Sequence, residues 1–194
     1  MIIGVPKEIK LQEHRIGLTP ESVKALTDRN HEVLVENNGG FEAGFTNDDY
    51  LKAGAKIIKT PGEIFKKAEL IVKVKEPQMK EVEMIREGQI IYTYLHLAAA
   101  KELTLGLIKT KSICIAYETV TDDSGRLPLL APMSAVAGRM SVQAGAHALE
   151  KNQKGRGLLI GGAPGVDPAN VVILGGGVVG ENAAIIATGM RGKV

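Results

Sequence analysis

Between Ile2 and Tyr117 six short β-rich runs recur, each separated from the next by a segment of helical spacing: "IIGVP" at Ile2, "EVLVE" at Glu32, "AKII" at Ala55, "LIVKV" at Leu70, "IIYTYL" at Ile90 and "SICIAY" at Ser112. Runs this short, alternating with helices, specify βαβ units, because a parallel partner is reached only through a crossover. The composition supports this: 44% of residues are hydrophobic but only 4% are aromatic. Val, Ile, Leu and Ala therefore build the core, as in parallel sheets covered on both faces. The expected fold class is α/β, with a Rossmann-like, mainly parallel sheet.

Local signals place the helices. Thr19 before Pro20 puts a hydroxyl at an N-cap and a preset φ at the first helical position, with Val23, Ala25 and Leu26 supplying an apolar face. Thr46 with Asp49 three residues on reads as a capping box. "HEVLVENNGG" ends its strand in a turn suited to glycine. After Tyr117 the segment "ETVTDDSGRLPLLAP" is a polar connection. It leads into a stretch from Ser134 to Lys151 in which Val136, Met140, Ala144 and Ala148 recur at i, i+4. Small residues such as Ala137, Gly138 and Gly145 would let a neighbour approach closely. This reads as a helix bridging two domains, followed by a glycine-rich loop that contains Pro164 and Pro168.

Charge narrows the function classes. The 24 basic and 22 acidic residues are spread along the chain and leave a net charge of +2. That carries no footprint for nucleic acid or an anionic membrane. No apolar run reaches the roughly 18 residues of a transmembrane helix, and the amino terminus lacks the pattern of a signal peptide, so the cytoplasm is expected. Cys114, inside an apolar run, reads as a buried small hydrophobe. No Cys or His pair has metal-ligand spacing, and no metal is expected. A small-molecule ligand is the expectation that remains.

Gly175, Gly177 and Gly180 form a G-x-G-x-x-G between "VVIL", read as a buried parallel strand, and "VVGENAAIIATGM", read as an apolar helix. In that context the glycines permit a tight turn, the approach of a pyrophosphate and close helix packing, with Val178 and Val179 opening the helix whose N-terminus faces the phosphate. A strand-to-helix turn that binds nothing is the alternative. In the first domain Arg15 lies in the loop after the first strand, Lys75 follows "LIVKV" and His96 follows "IIYTYL". Taken singly, the first two read as solvated charges and the third as a strand-end histidine. The carboxyl ends of strands in an open parallel sheet line one crevice, however, and there the three would converge.

The segments "GVPKEIKLQEHRIGLTP", "IVKVKEPQ", "TYLHLA", "IAYETV", "LPLLAPMSAVAGRMSVQAGAHALEK" and "GVDPANVVILGGGVVGENAA" span the chain in order and together resemble the alanine dehydrogenase family. That two-domain fold is also shared by the NAD-binding subunit of proton-translocating transhydrogenase and by lysine-forming saccharopine dehydrogenase; the histidine of "TYLHLA" favours alanine dehydrogenase. The resemblance implies a substrate domain at residues 1–132, then a bridging helix and the start of an NAD-binding domain at residues 133–194. It implies NAD-dependent interconversion of L-alanine with pyruvate and ammonium, in L-alanine catabolism, by a cytoplasmic homo-oligomer, a hexamer in the family.

By the same resemblance Arg15 and Lys75 bind substrate, and His96, with Lys75, is catalytic. A guanidinium fork matches the amino-acid carboxylate. Lys75 would bind that carboxylate or polarise the carbonyl as a carbinolamine forms and collapses, and an imidazole exchanges protons near neutral pH. Met133 and Ser134 correspond to contacts near the cofactor, with an N-cap role open to Ser134. Glu118, in "AYETV", is expected to be structural. The ribose-binding acid, about 20 residues beyond the fingerprint, would lie past Val194. The chain is therefore expected to be a truncated, poorly active form, with a cofactor-binding subunit or a noncatalytic assembly fragment as alternatives.

Overall fold

The computed structural model describes residues 1–194, which divide into two compact units, Met1–Thr119 and Val120–Val194. In the first, each expected run becomes a strand: β1 Ile2–Val5, β2 Glu32–Glu36, β3 Lys56–Ile58, β4 Leu70–Val72, β5 Ile90–Thr93 and β6 Ile113–Ala116. They pair in parallel throughout, in the order β3-β2-β1-β4-β5-β6. The winding direction reverses between β1 and β4, so the loops leaving these two strands part and open a crevice at their carboxyl ends.

The connecting helices form where the local chemistry directs. In α1 (Pro20–Thr27) the Thr19 hydroxyl accepts from the Ser22 amide. In α2 (Asn47–Lys52) both halves of the Thr46–Asp49 capping box are made. Helix α3 (Pro61–Lys67) repeats the Thr-Pro entry with Thr60 as cap. A single turn, α4 (Met79–Val82), and α5 (Lys101–Thr110) complete the unit.

Because strand side chains alternate, the sheet has two apolar faces. Val5, Val33, Val35 and Val72 pack with Val23 of α1 and Tyr50 of α2. Leu34, Ile71 and Ile91 pack on the other side with Ile64 and Phe65 of α3 and Leu103 and Leu107 of α5. Full burial of side chains of this size stabilises by about 1.5–3 kcal/mol each. Cys114 is only half-buried at the margin of the second cluster, because β6 is an edge strand.

The turn after β2 departs from expectation. Its left-handed residue is Asn38, with φ of +57°, rather than a glycine. Gly40 is required there for proximity instead: a Cβ would stand 2.7 Å from the Tyr50 ring.

In the second unit α6 (Ala131–Ala148) begins three residues before the expected start, so Ser134 is not an N-cap; Leu130 holds that position and its carbonyl accepts from the Ser134 amide. α7 (Val178–Gly189) packs on α6 through Gly138 and Val142, not through the expected stripe, whose Val136 and Met140 are 46% and 58% exposed. The reason is backbone proximity. A Cβ on Gly138 would lie 2.2 Å from the Val179 carbonyl oxygen, an approach that no larger residue allows.

"VVIL", residues 171–174, is not the buried strand expected. The one parallel bridge nearby is Asn170 with Lys193, just before the run, and Val171 adds a single donation to the Lys193 carbonyl, so no ladder forms. The side chains still alternate: Val171 and Ile173 join the core with Val142 and Ala187, while Val172 and Leu174 are 82% and 94% exposed. Apolar content alone does not make a strand where hydrogen-bonding neighbours are absent.

Candidate functional site

The loops leaving β1 and β4, residues 6–19 and 73–78, carry Arg15 and Lys75 to the switch point, and the end of β5 carries His96 beside them in the sheet order. Arg15 is held edge-on by Glu13: Nε donates to Oε1 at 2.8 Å, Nη2 to Oε2 at 2.6 Å, and the Arg15 amide also donates to Oε1 at 2.9 Å. This clasp lowers the Glu13 pKa to about 2, against desolvation and with Lys75 adding a smaller pull. One carboxylate therefore lies in the fields of both cations. The Lys75 ammonium makes no side-chain hydrogen bond or ion pair of its own.

Arg15 is in turn within electrostatic reach of Tyr94, whose ring stacks on His96 with centroids 6.1 Å apart and planes 18° from parallel. His96 is exposed and left-handed, with φ of +50° and ψ of +36°. That backbone costs a non-glycine residue about 1–2 kcal/mol, and Glu118 supplies the compensation. Its carboxylate accepts from the amides of Leu95 at 3.1 Å and His96 at 2.8 Å. Desolvation raises the Glu118 pKa, but donation from the His96, Glu118 and Leu95 backbone, with His96 itself nearby, brings it below the ordinary range. The structural role expected of Glu118 is thus a specific one: it fixes the turn that presents the histidine.

Below Lys75 lies a charged network with no counterpart in the sequence reading. Lys73, fully buried, donates to Glu8 at 3.1 Å and Glu81 at 2.8 Å, and both carboxylates are themselves buried. The remaining oxygen of Glu81 accepts from the Gln78 amide at 2.8 Å. Burial raises the pKa of Glu81 in spite of Lys73. The one signal available was a lysine inside the apolar run "LIVKV".

The second unit holds a cleft of about 1100 Å³ lined by Ser134, Gly175, Gly177, Val178, Val179 and Gly180, among others. Met133, half-buried in the same turn as Ser134, is not among the lining residues. The three glycines differ in what they permit. Gly175 has φ of +108°, and a Cβ on Gly180 would stand 1.9 Å from the Gly175 carbonyl oxygen, so both serve the turn. At Gly176 and Gly177 a Cβ would meet nothing within 4 Å. The space above them is open, and α7 starts there without a side-chain cap. Uncapped amides, the positive end of a 12-residue helix and an open ledge fit a nucleotide's phosphates.

Residues 4–137 match the family described as alanine dehydrogenase/PNT, N-terminal domain, and residues 141–194 match its C-terminal domain. The chain belongs to the alanine dehydrogenase/PNT family. Curated relatives in the family include alanine dehydrogenases from Halomonas elongata and Methanococcus maripaludis, 54% and 53% identical over the whole chain. The chain spans about half the length of these relatives, 52% of each. Among solved structures, an L-alanine dehydrogenase superposes with a TM-score of 0.91 at 52% identity, over 99% of this chain and 53% of that one. A transhydrogenase from Sinorhizobium meliloti superposes at 0.81 over 99% of this chain and 57% of that one; at 23% identity the likeness shows the shared fold. The comparisons thus agree with the parallel α/β architecture and with the resemblance carried by the sequence motifs. No helix is long and apolar enough to cross a membrane.

Proposed function

We propose that this chain carries the amino-acid site and the phosphate-binding turn of an NAD-dependent alanine dehydrogenase, which interconverts L-alanine with pyruvate and ammonium. The observation that carries the reading is the placement of Arg15, Lys75 and His96 at the carboxyl ends of β1, β4 and β5, around the point where the strand order reverses. The names of the relatives agree with it.

In this reading Arg15, presented by Glu13, binds the substrate carboxylate with a planar fork. Lys75, whose ammonium is not engaged by another side chain, binds the same group or stabilises negative charge developing on the carbonyl oxygen. His96, held out from the sheet by Glu118 and backed by Tyr94, exchanges protons with the substrate through a ring nitrogen. NAD, when bound, supplies the hydride acceptor. Gly175, Gly177 and Gly180 with the first turn of α7 would hold its phosphates, with Ser134 completing that assignment from the cleft wall and Met133 adjoining it outside the lining. Residues 1–132 are then the substrate domain and residues 133–194 the opening of the nucleotide-binding part. The same reading takes the assembly to be a homo-oligomer, a hexamer, on the strength of the family resemblance alone.

Binding is the readout suited to a chain that spans about half of its relatives. On a sample of verified intact mass, pyruvate is titrated while the NMR signals of Arg15, Lys75 and His96 are followed. Saturable shifts confined to these residues are expected. Binding of NADH without any response to pyruvate or L-alanine would overturn the reading in favour of a cofactor-binding subunit.

A further inference from the structure

The buried network beneath Lys75 has a geometry that ordinary core packing does not require. Glu8, in the loop after β1, reaches across the switch point to the loop leaving β4, where one oxygen accepts from the amides of Val74 at 2.6 Å and Lys75 at 3.3 Å. Its other oxygen takes the ammonium of Lys73 at 3.1 Å. Lys73 then links to Glu81 at 2.8 Å, and Glu81 closes the far end of the same loop by accepting from Gln78. Glu8, Lys73 and Glu81 are 5%, 0% and 2% exposed. Thus the segment from which Lys75 projects is pinned near its start and at its end by one charged system. Burying three ionisable groups costs stability unless each is paired and bonded, and an apolar trio would often serve the fold equally well.

We propose that Glu8 is a positioning residue for Lys75, setting the backbone from which the ammonium is presented at the switch point, with the Lys73–Glu81 pair as the counter-charge system that keeps it in place. Glu8 does not touch substrate; it acts through the Val74 and Lys75 amides. This deepens the proposed function, since it rests on Lys75 being a substrate-binding residue.

Two measurements on the full 194-residue chain test it, with wild type, Glu8→Ala and Glu8→Gln compared. The first is amide hydrogen exchange at Val74 and Lys75, with Ile71 and Ile91 as internal references. The second is the rate at which an acylating reagent modifies Lys75, with and without pyruvate. In Glu8→Ala, exchange at Val74 and Lys75 should rise by about 10- to 100-fold, the range for a lost hydrogen bond to a charged group, while Ile71 and Ile91 keep wild-type rates. Lys75 acylation should change several-fold, and the pyruvate concentration that protects Lys75 should rise by about tenfold or more. Glu8→Gln keeps an oxygen facing the two amides and should restore most of both effects.

Unchanged exchange and acylation in Glu8→Ala would overturn the proposal. So would a rise that includes Ile71 and Ile91, which would make Glu8 a support of the sheet as a whole. Loosened amides with unaltered Lys75 reactivity and unaltered protection would also overturn it. If pyruvate fails to protect Lys75 even in the wild type, it is the substrate reading that fails. The acylation rate without pyruvate then decides the positioning role: a several-fold change in Glu8→Ala supports it, and none overturns it.

Discussion

Glu13 and Arg15, two residues apart in the loop after β1, face each other as a two-point ion pair with Nε–Oε1 at 2.8 Å and Nη2–Oε2 at 2.6 Å, and the carboxylate is 7% exposed while the guanidinium is 47% exposed. The buried partner fixes the orientation of the accessible one. A guanidinium set in this way loses less freedom on meeting a ligand than a solvated one would.

The pair predicts a pH dependence of stability. Glu13 has its pKa lowered from 4.5 to about 2, so the ion pair contributes fully above pH 4.5 and the contribution is lost as the pH falls toward 2. Glu13→Gln should therefore destabilise by about 1–2 kcal/mol near neutral pH, with the difference from wild type vanishing near pH 2. Urea unfolding of the two proteins across that range measures it. A constant difference at every pH would contradict the assignment.

Lys75→Met should leave the fold intact, because the ammonium makes no side-chain hydrogen bond or ion pair. Its pyruvate affinity should nonetheless fall by about 30-fold or more, the scale for removing one partner of a desolvated charge pair. Calorimetric titration alongside a thermal melt separates the two effects.

Lys73→Met strands two buried carboxylates and should destabilise by about 3–5 kcal/mol at neutral pH. The cost should shrink in mild acid. Burial already raises the pKa of Glu81, and a carboxyl whose folded pKa lies above its unfolded value gains relative stability as the pH falls between the two. Adding Glu8→Gln and Glu81→Gln to Lys73→Met should recover much of the loss, as read from denaturant midpoints.

The glycines of the proposed phosphate turn should separate by role. Gly177→Ala, in extended backbone with open space around the new Cβ, should change stability by no more than about 0.5 kcal/mol, yet weaken NADH binding measured by fluorescence. Gly180→Ala, with its Cβ 1.9 Å from the Gly175 carbonyl oxygen, should cost about 2 kcal/mol or more, and lower the melting temperature. Equal effects at the two positions would remove the case for a ligand ledge.

The strand-end positions of the candidate residues were legible because Arg15, Lys75 and His96 each follow a strand whose apolar run is plain, and the ends of parallel strands share one side of a sheet. The residues that hold them were not legible. Glu118 lies 22 residues from the amide of His96 that it fixes, and Glu8 lies 65 residues from Lys73. Neither separation has a period that a linear reading detects. Glu13 was close enough in sequence to have been suspected, but a carboxylate near an arginine in a polar loop has many solvated alternatives.

The sequence by itself determined what depends on neighbours one to four residues away. The Thr19, Thr46 and Thr60 caps, the six strands of the first unit and the strand-end address of the three candidate residues all follow from such short-range chemistry. Only the tertiary structure decided which face of α6 meets α7, whether residues 171–174 form a ladder and which charges pair beneath Lys75. Each of those outcomes depends on what a distant segment brings within about 3 Å, since hydrogen bonds and backbone contacts are short-ranged in space and indifferent to separation along the chain.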